Sequence, residues 1–328
     1  HIGESIMKKI FCCTLVILSV MLILPLAALE SPKETAVQTA AHIFEIPKAK
    51  QSVSGSFRIC DISNDTVTEM KTSDYIFGVV AAEMPALYEK EALKAQAVAA
   101  YTYACVKKAE NADKSYDLTT DPSLDQSFIT KEEAEKRWGD KAAEYREKIE
   151  SAVKETEGYM VTYEKKPILA VYHAISGGMT ESCEEVWGKD LPYLKPIASP
   201  GDKLAPEYAT KAEFGEEEVK TKLTELCTVE GEAKDFFGNI KKTQSGTVKT
   251  LTVCGKEVTG AAIRSLFGLR SANFDVAYDG GVFTFTVYGY GHGVGMSQYG
   301  ANYMAKQGSG FKEILCCYYS GCSVEKII

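Results

Sequence analysis

The chain is short of the patterns that mark several common chemistries. Its ten cysteines show no C-x-x-C spacing, so no zinc site is expected. The one glycine-dense stretch has no Lys-Ser/Thr ending and no strand-to-helix fingerprint around it, which excludes a phosphate loop. Positive charge is in deficit: 37 Lys and Arg against 45 Asp and Glu give a formal net charge of -8. No basic face emerges from the pattern, so nucleic acid is excluded as a partner and a neutral or weakly charged polymer fits better. There is no internal repeat. With 328 residues, 45% apolar and 25% charged, the chain can bury one large domain or two small ones, and nothing suggests intrinsic disorder.

Long apolar runs are confined to one place. Residues 10–29 are uncharged, follow Lys8 and Lys9, and end at Glu30. Such a run can cross a bilayer once, with the lysines on the cytoplasmic side and everything after it outside. The rival is a cleaved signal peptide, although LPLAALE offers no clean Ala-x-Ala site. The residues before Met7 read as an upstream extension. Residues 31–56 are rich in Ser, Thr, Ala, Lys and Gln, as an exposed extracytoplasmic spacer would be, leaving 57–328 as the folded body. Cys12 and Cys13 fall within the apolar run; the others are expected to be free thiols or to make one opportunistic bridge.

The body reads as α+β, with helices and antiparallel strands segregated rather than alternating. Alternating apolar positions over 57–70 suggest a strand and hairpin. Asp74 could cap a helix running to Met84, which Pro85 would stop. A second helix is expected over 89–108, with a small-residue face for close packing. Residues 130–157 read as one charged, exposed helix, 159–175 as paired strands, 213–226 as an amphipathic helix, and 248–253 and 283–288 as strands. A smaller α/β lobe over about 202–280 is expected as an insertion before the closing motif.

Two places carry candidate chemistry. In VVAAEMPA, Glu83 stands among small and apolar residues just before a proline; a carboxylate so placed is costly to ionise and is a candidate proton donor near neutral pH. The alternative is an ordinary helix acid or a salt bridge to Lys94. Near the C-terminus, GYGHGVGMSQYGA (289–301) sets five glycines around His292 and ends in Ser297 and Gln298. That density predicts tight turns or close approach to a ligand, the alternative being a plain glycine-rich turn. His292 fits substrate contact or cleft support; His173 in AVYHAISGG fits turn orientation. A Cys-His hydrolase built from Cys183 with His173 or His292 is a third arrangement, without an accompanying oxyanion signature.

Three segments together resemble the stage II sporulation protein D family, whose relatives include the amidase enhancer LytB. They are DYIFGVVAAEMPALYEKEALKAQAVAAYTYA from Asp74, AVYHAISGGMTESCEEVWGKDLPYLKPIASPGD from Ala170, and the glycine-rich run; SGTVKTLTVCGKEVTGAAIRSLFGLRSANFDV (245–276) also follows the family's pattern. The resemblance implies a peptidoglycan lytic transglycosylase with Glu83 as its acid. It implies substrate contacts from Lys94, Gln96, Gln126, Ser176, Tyr193, Lys195, His292, Ser297 and Gln298. Tyr101 stands in VAAYTYA where the family usually has Arg, which puts substrate positioning in question. No cofactor is implied. Some clostridial members carry a zinc site of His and Cys, but the matching stretch here, 117–130, has neither, so no metal is carried over. The family's ILxxYY end strand corresponds to the region of Cys316, Cys317 and Cys322. Implied partners are peptidoglycan glycan strands and the stage II sporulation proteins P and M, with the body outside the membrane during engulfment. The second reading is a non-catalytic peptidoglycan-binding amidase enhancer.

Overall fold

The computed structural model describes residues 55–327. No helix among them is long and apolar enough to cross a membrane. The apolar run 10–29, its flanking lysines, the residues before Met7 and nearly all of the 31–56 spacer lie outside the described residues.

The body is mixed α+β. It opens with β1 (Ser56–Asp61) and β2 (Thr66–Lys71), an antiparallel hairpin that buries Phe57 and Ile59 through the period-2 alternation of β1. Helix α1 (Thr72–Glu83) follows without a loop and is buried almost all round from Tyr75 to Ala81, the mark of a core helix rather than a surface one. It ends where the sequence demands. Pro85 pushes the residue before it out of the helical region, and Met84 is extended at φ -120, ψ 140.

Helix α2 (Lys90–Glu110) is the axis of the first core. Its buried face carries Ala92, Ala95, Ala97, Ala99, Ala100 and Ala104, small enough for neighbouring helices to come close. After it, β3 (Leu118–Thr119) pairs parallel with β1. The charged stretch 130–157 forms two helices rather than one, α3 (Lys131–Trp138) and α4 (Ala142–Glu155), because Gly139 turns the chain with a left-handed φ of 54. Strands β4 (Tyr159–Tyr163), β5 (Lys166–Pro167) and β6 (Tyr172–His173) and helix α5 (Cys183–Trp187) complete this half of the sequence.

A second, separate core lies downstream. It is enclosed by β7 (Ala209–Gly215), α6 (Glu216–Leu223), β8 (Phe237–Lys242), β9 (Val248–Val253), β10 (Lys256–Thr259), α7 (Gly260–Phe267), β11 (Phe274–Asp279) and β12 (Val282–Tyr288). The strands form two antiparallel sheets, in the orders β11-β12-β7 and β10-β9-β8. Phe236, Phe267, Phe274, Phe283 and Phe285 are buried together, and aromatic contacts of this kind supply most of a small core's burial. The helix expected over 213–226 starts only at Glu216, because 213–215 alternate in burial and pair with β12.

The chain then returns to the first core. Strand β13 (Met296–Ser297) pairs parallel with β6, joining the glycine run to AVYHAISGG, and α8 (Gln298–Lys306), α9 (Phe311–Tyr318) and β14 (Ser323–Lys326) close the fold. The region expected as an ILxxYY end strand is mostly helix. Ile314, Leu315, Tyr318 and Tyr319 are buried while Cys316 and Cys317 are exposed, an i, i+1, i+4, i+5 pattern that fits a helical period and not a strand's.

One glycine decides how the loop before α3 sits on α1. A Cβ built on Gly78 would stand 2.2 Å from the Phe128 ring and 2.5 Å from the Ile129 carbonyl, and the Ile129 N–H bonds the Gly78 carbonyl at 3.3 Å. Gly78→Ala is therefore expected to push residues 127–129 outward and to destabilise the protein by about 1–3 kcal/mol, measured by urea unfolding. A variant as stable as the parent would show that this contact is loose.

Candidate active site

Glu83 is the last residue of α1 and is half-buried. Its Oε1 accepts the Ser127 backbone N–H at 2.8 Å, and the side chains of Ser127 and Gln298 also hydrogen-bond to it. Burial is the largest influence and raises its pKa above the ordinary carboxyl range; the bonds from Ser127 and Gln298 pull the other way without cancelling it. The salt bridge considered for Glu83 does not form, since Lys94 pairs with Glu91 at 2.7 Å and Glu155 at 3.3 Å. A carboxyl whose pKa is raised by burial, with donors already aimed at its anionic form, can give up a proton and take one back.

The polar groups around it form two sets. Gln298 Nε2 donates to Gln96 Oε1 at 3.4 Å, and the fully buried Gln96 keeps its own Nε2 without a partner. Gln126 Nε2 donates to the Tyr75 hydroxyl at 3.2 Å and the Ala100 carbonyl at 3.3 Å, while the Tyr172 hydroxyl donates to Gln126 Oε1 at 2.8 Å. Tyr75 and Tyr172 both feel the Glu83 charge, and burial holds both phenols far above their usual range, so they remain neutral donors. Of the residues predicted from sequence, Gln298 and Gln96 thus join Glu83 by hydrogen bonds, while Gln126 belongs to a neighbouring set with Tyr75 and Tyr172 that feels the same charge. Ser127, which bonds Glu83, and Tyr75 and Tyr172, which bond Gln126, were missed, although the two tyrosines stand in the segments beginning at Asp74 and Ala170.

Two further predicted contacts, Ser176 and Ser297, meet at a second buried carboxyl. Ser176 and Ser297, both buried, donate to the buried Asp202. Its Oδ2 takes the Ser176 N–H at 2.9 Å and the Ser176 hydroxyl, and its Oδ1 takes the Ser297 hydroxyl at 2.7 Å. The Ser297 hydroxyl also caps α8 by accepting the Gly300 N–H at 3.2 Å. Both hydroxyls donate to Asp202, and Ser176 also lines the cleft beside His292. Asp202 was missed as a centre, being one acid in the SPGD turn.

Lys94, Tyr101, Tyr193 and Lys195 stand apart from these sets. Lys94 lies over the Phe311 ring at 5.0 Å. Tyr101 is 7% exposed and packs toward Phe57, with ring centroids 6.4 Å apart, so it fills core rather than cleft. The Tyr193 hydroxyl accepts the Leu169 N–H at 3.3 Å, and the Lys195 ammonium pairs with Asp190.

His292 has both ring nitrogens engaged. Nδ1 accepts the Val294 N–H at 3.0 Å, which assigns the proton to Nε2, and that side bonds the Tyr172 backbone. Burial, with His173 and Arg264 nearby, holds it down to about 3, so it stays neutral. The ring sits 4.9 Å from Trp187 and 5.8 Å from His173 and helps line a cleft with Glu181, Asn273 and Tyr288. It supports the glycine run rather than shuttling protons. That run needs its glycines: at Gly295, φ is +74 and a Cβ would stand 2.1 Å from the Val171 carbonyl.

The Cys-His arrangement fails on chemistry. Cys183 is buried and its thiol is pushed up to about 11 by burial, the reverse of what an attacking thiolate requires. Among the described residues, no group of three or more His, Cys, Asp or Glu could hold a metal ion.

Comparison with known proteins agrees with these segments. A family model described as stage II sporulation protein matches residues 62–163. The chain is 37% identical to stage II sporulation protein D of Bacillus amyloliquefaciens over 96% of its length and 93% of that protein's. It is 36% identical to stage II sporulation protein D of Bacillus subtilis (strain 168), over 98% of this chain and 95% of that one. It is also 27% identical to the amidase enhancer of Bacillus subtilis (strain 168), over 74% of this chain and 39% of that protein.

Burial of Glu83 also ties stability to pH. A carboxyl whose folded-state pKa lies above its unfolded one favours the fold at pH below the ordinary carboxyl range, and that contribution is lost as pH rises through the folded value. Gln keeps the shape and cannot ionise. Glu83→Gln should therefore gain stability relative to the parent as pH rises through that window. Urea unfolding at a series of pH values measures it; a difference that is flat with pH would mean the carboxyl is effectively solvated.

Proposed function

The chain belongs to the stage II sporulation protein D family, and we propose that it is a peptidoglycan lytic transglycosylase that cuts between N-acetylmuramic acid and N-acetylglucosamine in glycan strands stripped of their peptides. The single observation that carries this reading is a lone carboxyl, Glu83, raised by burial and held by Ser127 and Gln298. Hydrolysing glycosidases pair two carboxyl groups across the bond, one to protonate the leaving oxygen and one to attack or to activate water. The groups that hold Glu83 here, Ser127 and Gln298, are neutral donors.

One acid suffices if the sugar supplies its own nucleophile. Glu83 protonates the glycosidic oxygen as the C1–O bond breaks, and the leaving sugar departs as an alcohol. The C6 hydroxyl of the muramic acid then attacks C1 and gives its proton to the Glu83 carboxylate, closing a 1,6-anhydro ring and restoring the acid. No water is consumed. The donors that hold the carboxylate in the second half-step are those seen here, the Ser127 N–H and the Gln298 amide. The buried Gln96 amide, with an unpartnered Nε2, supports Gln298 from behind.

On this reading the protein acts outside the membrane, anchored through residues 10–29, alongside stage II sporulation proteins P and M. An amidase that removes stem peptides would generate its substrate. A second reading is kept by two observations: the relative named amidase enhancer, and Tyr101 packed in the core where the family usually has Arg. In that case the same cleft binds glycan and presents it to a partner hydrolase.

Mass spectrometry of products from peptide-stripped glycan strands separates the two. The parent should release saccharides ending in 1,6-anhydro-N-acetylmuramic acid, and Glu83→Gln should release them about 10²–10⁴-fold more slowly while folding normally. Glycan retained without any anhydro product would favour the binding role, and equal turnover by both proteins would remove Glu83 from the chemistry. The rate should also fall as pH rises through the raised Glu83 pKa, since the first half-step needs the protonated acid.

A further inference from the structure

Two thiols in the second core come together from separate elements. Cys227 sits just past α6, its N–H bonded to the Leu223 carbonyl at 3.0 Å and its thiol 3.7 Å from the same oxygen. Cys254 sits at the tip of the β9–β10 hairpin, and its thiol lies within hydrogen-bonding reach of the Cys227 thiol. The two segments are tied a second time, where Lys256 Nζ donates to the Leu226 carbonyl at 2.6 Å. Both cysteines are half-buried against the second core.

The hairpin tip adds an independent argument. Val253 pairs with Lys256, so Cys254 and Gly255 are the two loop residues, with φ of 47 and 83. Positive φ at both positions is the type I′ turn that matches strand twist, and its first position normally takes Asn, Asp or Gly. A cysteine there adopts a backbone conformation its side chain disfavours. From this position its thiol interacts with that of Cys227. Among the other described cysteines, Cys322 feels the charge of Cys316, but no thiol–thiol hydrogen bond joins that pair. Cys60 and Cys183 are buried, and Cys316 and Cys317 are exposed neighbours on one helix.

We propose that Cys227 and Cys254 form a disulfide that staples the end of α6 to the β9–β10 turn when the chain meets a disulfide oxidant. One protein thiolate attacks a sulfur of the oxidant's disulfide, giving a mixed disulfide and releasing one small thiolate. The other protein thiolate attacks the protein sulfur of that mixed disulfide, forming the Cys227–Cys254 bond and releasing the second small thiolate. In balance, two protein thiols lose two protons and two electrons, and one small disulfide is reduced to two thiols. The bond constrains the unfolded chain between positions 227 and 254 and so favours the folded lobe. This inference is independent of the glycan chemistry.

The test uses the full chain in detergent, equilibrated with oxidised glutathione, then denatured and alkylated before peptide mass spectrometry. The expected result is one cross-linked peptide pair containing Cys227 and Cys254, two hydrogens lighter than the separate peptides, with neither cysteine alkylated until a reductant is added. The melting midpoint should rise by several degrees on oxidation of the parent and stay unchanged in Cys227→Ser, with Cys254→Ser serving if the first variant folds poorly. Full alkylation of both cysteines under oxidising conditions, glutathione adducts that do not resolve, or pairing of either with Cys316, Cys317 or Cys322 would overturn the proposal.

Discussion

The removal of Glu83 from water is the constraint on which the site depends. A carboxyl at the end of a core helix must either find a cation, which here is absent because Lys94 is held by Glu91 and Glu155, or accept a raised pKa. The fold takes the second course and softens it with neutral donors. Neutral donors matter chemically. A cation would lower the pKa and hold the proton off, whereas an N–H and an amide steady the anion once it forms without preventing protonation.

Those donors come from distant parts of the sequence, and each is positioned by a different local device. Ser127 reaches Glu83 because Gly78 lets the 127–129 stretch lie flat on α1. Gln298 reaches it because α8 begins there, capped by Ser297, whose hydroxyl is fixed in turn by Asp202. Asp202 also holds Ser176 and so joins the SPGD turn, the AVYHAISGG segment and the start of α8. A buried carboxyl with this many donors is a strong organiser of loops, because any one donor withdrawn would leave an expensive unsatisfied group.

The two cores divide the labour. The first, around the alanine face of α2, brings α1, α8 and α9 close enough for single hydrogen bonds to link them. The second is built from sheets and phenylalanines, and its cysteine pair and hairpin concern its own closure rather than the acid. The cleft lined by Ser176, Glu181, Asn273, Tyr288 and His292 draws on residues from both sides of the glycine run.

The sequence by itself determined the secondary elements with strong local signals and singled out Glu83 as the candidate acid. Pro85 fixed the end of α1, the small-residue face fixed α2, and the apolar setting of Glu83 together with the family segments singled it out. Local patterns misled where a glycine or a partner strand overrode them. Gly139 split the helix of 130–157, pairing with β12 claimed 213–215, and helical packing of Ile314, Leu315, Tyr318 and Tyr319 replaced an expected end strand. Only the tertiary structure decided which polar side chains face the acid. Ser176, Ser297 and Gln298 look alike as polar residues beside glycines, yet the first two turn to Asp202 and the third to Glu83. Hydrogen bonds between residues far apart in the chain are set by how helices pack, and a pattern that repeats every two residues or every helical turn carries no record of such distances.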